Sequence, residues 1–185
     1  MGHGRGACAG RAAEAQAQTP HAQSLSGGAV RIRIIAVGER MPRWVGEVVA
    51  DYIRRLSGSL KVTLAQVAAA QRSARADPAQ AMQVEGRRIL ELVKPQEFLV
   101  ALDERGAQLG TRELANWLAG RMNDGRDLVF VIGGPDGLAG EVVARADLKL
   151  SLSKLTLPHA LVRVVLAEQL YRAHTVLTGH PYHRV

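Results

Sequence analysis

At 185 residues, 47% of them hydrophobic, the chain can form one ordinary domain with a substantial core. No stretch reaches the about 20 uninterrupted apolar residues that a membrane span needs, so no membrane partner is expected. The formal charge of +7 favours an anionic partner, nucleic acid first. The single cysteine, Cys8, excludes an internal disulfide framework and a multi-cysteine zinc site, and it suits a reducing, cytoplasmic setting.

Residues 1–29 differ from the rest. They are rich in Gly, Ala and Gln, and Leu25 is their one bulky aliphatic residue beyond Met1. Such a segment cannot bury enough apolar surface to offset its ordering entropy, and it lacks the 7–15-residue apolar run of a secretory signal. It is expected to be a disordered extension ahead of a single domain at 30–185. His3 and His21, within it, have no partner spacing for a metal.

From Val30 the pattern alternates between strand and helix. Val30–Val37 is a β-branched strand ending at Gly38, and Pro42 opens a helix with Trp44, Val45, Val48, Val49, Tyr52, Ile53 and Leu56 on its apolar stripe. A weaker strand follows at Lys61–Val67, then a polar loop at Gln71–Ala76 that is expected to be mobile. Asp77-Pro78 starts a second helix running to about Val93, before Pro95. Phe98–Leu102 is a short apolar strand, and Thr111 caps a third helix carrying Leu114, Trp117 and Leu118. Leu128–Ile132 is a fully apolar strand entering Gly133-Gly134-Pro135-Asp136-Gly137. A short helix, a last strand at Leu148–Leu152 and a final helix from Pro158 complete the chain, the last with Leu161, Val162, Val165, Leu166 and Leu170 toward the core. Strands without polar alternation are buried on both faces. The fold class is therefore α/β, a mostly parallel sheet of about five strands with helices on both faces.

In open α/β sheets ligands bind beyond the carboxyl ends of the strands. Three segments leave such ends: Leu102-Asp103-Glu104, Gly133–Gly137 and Ser151–Pro158. Gly133-Gly134 either lets a ligand approach the backbone or merely makes a tight turn; it is neither a dinucleotide fingerprint nor a phosphate loop. Ser151, Ser153 and Thr156 alternate with leucines. That segment is either a loop that holds a flat heterocycle by main-chain hydrogen bonds or the strand continuing to its helix.

The stretches AVGERMPRWV, FLVALDERG, GRDLVFVIGGPDGL, LSLSKLTLPHALVRVVLAEQLYRA and HPYHRV occur in this order between Ala36 and Val185. Together they resemble the ribosomal large-subunit pseudouridine N3-methyltransferases of the SPOUT class, over about Val30–Val185. The resemblance implies a C-terminal trefoil knot, a homodimer that completes its sites, and S-adenosylmethionine as methyl donor without a metal. It implies cofactor positions at Leu102, Gly134, Leu152, Ser153, Lys154, Leu155, Thr156 and Leu157, and 23S ribosomal RNA within the ribosome as the substrate.

A methyl transfer to N3 needs a proton acceptor and stabilisation of the anionic base. His159 and His183 are candidates for the first role, and Arg163 and Arg184 for the second; Tyr182 could stack on a flipped nucleotide. Each has a structural alternative. His159 could hydrogen-bond a loop carbonyl, and Arg163 could pair with an acid across the dimer. Glu168 and Arg172 have the spacing of a helical support pair. His174 and His180 are read as structural, and Trp44 and Trp117 as core or dimer packing. A non-catalytic ribosome-assembly protein of the same fold is the competing function.

Overall fold

The computed structural model describes residues 30–56, 60–72 and 77–183. The expectations for residues 1–29, for most of the Gln71–Ala76 loop and for Arg184 lie outside them. The elements follow in chain order as β1 (Arg31–Val37), α1 (Arg43–Leu56), β2 (Lys61–Val67), α2 (Pro78–Leu92), β3 (Phe98–Gln108), α3 (Thr111–Asn123), β4 (Leu128–Ile132), α4 (Gly140–Arg145), β5 (Leu148–Ser151) and α5 (His159–Leu177), with a 3-10 turn at Pro181–His183. The strands form one parallel sheet in the order β2-β1-β4-β3-β5.

The two-residue period of a strand sends alternate side chains to opposite faces. Ile32, Ile34, Val100, Leu128 and Phe130 meet Leu114, Leu118, Leu166 and Leu170 on one face, under α3 and α5. Ile35, Leu99, Val129 and Val131 meet Ile89, Ala139 and Val142 on the other, under α2 and α4. Trp117 packs edge-on against Phe98 and Phe130, as core packing requires. β4 is buried at every position, which explains its uninterrupted apolar sequence.

Several details depart from the sequence reading. β3 runs to Gln108 because its register against β5 shifts between Leu102 and Ala107, both of which face Leu150. The segment between forms a bulge that crosses closely over β5: a Cβ on Gly106 would lie 2.6 Å from the Leu150 nitrogen. The residue capping α3 is Gly110, whose N–H donates to Glu113, while the Thr111 hydroxyl hydrogen-bonds Gln169 on α5. Of the two readings of Trp44, core and dimer packing, its 45% exposure excludes the first, and Leu161, expected toward the core, is 38% exposed. Leu161 lies about 200° round the helix from Arg163, which faces inward, so the buried stripe of α5 passes it by.

Candidate functional site

A cleft of about 870 Å³ opens at the carboxyl ends of β3, β4 and β5. Its walls are Leu102–Arg105 at the bulge of β3, Ile132–Leu138 at the end of β4 and beyond, and most of Leu150–His159 at the end of β5 and beyond, with Met82 and Val162 behind. These are the three segments that the sequence singled out, although the first lies at a bulge within β3 rather than at the end of the strand. The size is that of a small-molecule or cofactor site.

Each wall has a local cause. Asp103 Oδ1 accepts from the Arg105 N–H (2.8 Å), which tightens the bulge at the mouth. Gly134-Pro135-Asp136-Gly137 makes a turn closed by Gly137 N–H donating to Gly134 O (3.0 Å), and Gly137 has φ +94°, a conformation that favours glycine. Gly133 is required by close approach, because a Cβ there would sit 2.3 Å from the Gly137 oxygen. Gly134 has no positive φ; its missing Cβ leaves room for the Glu85 carboxylate, 2.7 Å from that position. The serines build the third wall. Ser151 Oγ donates to Ser153 O (2.9 Å), and Ser153 Oγ accepts from the Leu155 N–H (2.9 Å). Those bonds turn the chain out of the strand and leave Leu155 76% exposed at the rim.

Of the expected cofactor positions, Leu102, Gly134, Leu152, Ser153, Leu155, Thr156 and Leu157 line the cleft; Lys154 is exposed and does not. Three carboxylates, Asp103, Glu104 and Asp136, share the lining with one basic side chain, Arg105. Asp136 is paired with Arg72 behind the wall, so the lining keeps only a small acidic excess although the whole chain is basic.

His159 lines the cleft where α5 begins. Arg163 NH2 lies 3.0 Å from His159 Nε2, and an arginine only donates, so the ring accepts there and carries its proton on Nδ1. Burial, followed by the neighbouring Arg163 charge, lowers the His159 pKa, and hydrogen bonds to the Val37 and Gly133 carbonyls oppose this without reversing it. The imidazole is therefore neutral at pH 7. Arg163 itself is only 1% exposed and donates to Val37 O and Gly38 O, both at 2.6 Å. Its guanidinium is thus committed to the protein rather than free for the anionic base, the role expected of it. It is a buried strut joining α5 to the end of β1.

Tyr182 is not in the cleft of its own chain. Its ring packs on Tyr171 (4.7 Å between centroids) and under Arg172 (4.9 Å), and its hydroxyl lies 3.3 Å from that of Tyr52 and 3.4 Å from Glu168 Oε1. The hydrogen bond with Tyr52, then burial, pushes the Tyr182 pKa up to about 12. Glu168 also pairs with Arg172 at 2.7 Å, as their spacing suggests. Within one chain Tyr182 anchors the tail against α1 and α5, and stacking on a nucleotide would require it to leave. His183 ends the 3-10 turn beside it.

Sequence reasoning missed Arg105, Gly106 and Met82, and it missed the ion pairs behind Gly134. The motif ALDERG contained the first two, but a charged run after a strand reads equally as a solvated loop.

Residues 30–183 match the family model described as "Predicted SPOUT methyltransferase". The protein named Ribosomal RNA large subunit methyltransferase H from Thiobacillus denitrificans is 51% identical over 155 residues, covering 84% of this chain and 99% of the relative. Its namesakes from Thioalkalivibrio sulfidiphilus and Laribacter hongkongensis are 50% and 45% identical over the same shares.

Proposed function

Since the chain belongs to the SPOUT methyltransferase family, we propose that it methylates large-subunit ribosomal RNA, transferring the methyl group of S-adenosylmethionine to N3 of a pseudouridine. The observation that carries this reading is the cleft at the ends of β3, β4 and β5, set in a chain half identical to proteins bearing that name. Its acidic lining fits a donor carrying a sulfonium and an ammonium charge, and its leucines fit an adenine. The donor supplies an activated methyl group; the protein supplies alignment.

The N3 lone pair attacks the methyl carbon as the bond to sulfur breaks, and the N3 proton must leave to a base. His159 is poorly placed to take it, because its Nε2 lone pair accepts from Arg163. We assign His159 and Arg163 to shaping the cleft wall, and proton acceptance to His183 of the tail. Arg184 stabilises the anionic base and Tyr182 orients the tail. The tail of one subunit serves the cleft of the other in a homodimer, with exposed Trp44, Leu155 and Leu161 as apolar surface for that contact. The family's trefoil knot belongs to the same reading.

The test is methyl transfer from labelled S-adenosylmethionine to assembled ribosomes, free large subunits and naked RNA, with the product nucleoside identified by mass spectrometry. N3-methylpseudouridine is expected. Transfer to another atom would sink the specificity, and absence of transfer together with absence of donor binding would favour a non-catalytic assembly factor. Removing Tyr182–Val185 should spare donor binding and lower turnover by orders of magnitude, because groups that act at the transition state affect rate more than ground-state affinity.

A further inference from the structure

The donor cleft has one wall that cannot hold its own shape. The Gly134–Gly137 turn contains two glycines, follows a third, and is closed by a single hydrogen bond of its own. Behind it lies a group of charges with no part in the methyl transfer. Glu85 on α2 is 2% exposed, and its carboxylate accepts from the Ala70 N–H (2.9 Å) and from Arg72 NH1 (3.0 Å). Arg72 reaches on to Asp136 within the turn, with both Nε and NH2 at 2.9 Å from Oδ2. The Gly134 Cβ position is 2.7 Å from Glu85 Oε2 and 3.1 Å from Arg72 NH2. Three separate segments, after β2, on α2 and after β4, thus meet at the back of the cleft.

A buried ion pair adds little net stability compared with apolar packing, but it specifies one geometry. We infer that Arg72 and Glu85 are positioning residues of the donor cleft, an ion-pair clamp that sets the Gly134–Gly137 turn and through it the affinity for the methyl donor. This rests on the reading that the cleft binds that donor. Neither residue touches the donor; both act through Asp136 and Gly134. Burial works against the Arg72 charge, yet the hydrogen bonds it donates to Asp136 and Glu85 outweigh it and keep the guanidinium firmly protonated.

The clamp makes a prediction that a merely stabilising pair does not. In calorimetric titration of the full chain with S-adenosylmethionine, Arg72→Ala should raise Kd by about tenfold, the worth of one charge-assisted hydrogen bond. Asp136→Asn should raise it less, and the double variant should be no worse than Arg72→Ala alone, since Arg72→Ala already removes the pair that Asp136→Asn weakens. Arg72→Lys should recover part of the loss, while kcat at saturating donor should change far less than Kd. Arg31→Ala, which breaks an ion pair at the opposite end of the sheet, should leave Kd unchanged. Wild-type affinity in Arg72→Ala, or additive losses in the double variant, would overturn the clamp. If Arg72→Ala does not fold, Asp136→Asn decides: unchanged affinity overturns it. A wild-type protein that binds no donor would overturn the reading of the cleft itself, a separate result from any variant's.

Discussion

The two ends of the sheet are built by opposite rules. At the amino ends of the strands, arginines stitch the edges together. Arg31 pairs with Asp127 ahead of β4, and Arg33 pairs with the buried Glu97 ahead of β3. Arg126 and Arg145 donate to the carbonyls of Gln96, Pro95 and Glu97, and Asp147 accepts from the Leu99 N–H. At the carboxyl ends, glycines and serines shape a cleft with Asp103, Glu104 and Asp136 in its lining. At the amino end the ion pairs tie neighbouring strands directly, whereas at the carboxyl end the Arg72 pairs with Glu85 and Asp136 hold a glycine turn. Stability and binding are therefore separable by position along the same strands.

The largest expected effect is at the cleft. Gly133→Val would drive a side chain into the Gly137 carbonyl, so donor affinity should fall by roughly 100-fold or more in titration, equivalent to a few kcal/mol. Thermal unfolding should fall much less. Glu97→Ala makes the reverse test. It leaves Arg33 with only its bond to Leu92 O and takes the acceptor from the Lys94 N–H, and should lower stability by about 2 kcal/mol in urea unfolding while leaving the folded fraction's donor affinity intact. A loss of affinity there would erase the distinction between the two ends.

Acid should separate the ends as well. His159 is neutral in the folded protein with its pKa below the ordinary 6.5, so its contribution is full above 6.5 and is lost as pH falls below it. Asp127 has to overcome burial, yet hydrogen bonds from Arg31 hold it below 3.8, so its contribution is present above 3.8 and is lost only as pH drops through that lower range. Hydrogen exchange at pH 5 should show the start of α5 loosened and the start of β4 protected. Equal protection at both would count against this assignment of charges. The smallest effect belongs to Arg31→Ala, an exposed pair whose removal should shift the melting temperature least of these variants.

The strands were legible because their burial on both faces leaves no polar alternation, and β4 shows this most clearly. The segments that line the cleft were legible for another reason: in open α/β sheets ligands bind beyond the carboxyl ends of the strands whatever the residues. The extension of β3 was not, since Asp103–Gln108 is polar and becomes strand only by pairing with β5. Arg72 looked like part of a mobile loop, and Tyr182 like a free stacking group. Tyr182's partner Tyr52 lies 130 residues away.

Sequence alone determined the alternation of strands and helices, the parallel sheet and the position of the cleft, because those follow from local periodicity and from the burial that each apolar run demands. The tertiary structure decided which charges are satisfied. Arg163 sits between valines in a helix, where its charge suggests a surface, and only the approach of the β1 end provides the carbonyls that let it be buried. Glu85 and Arg72 are an ordinary acid and base until the turn after β4 closes against them. Burying a charge depends on partners brought from distant segments, and no local pattern records them.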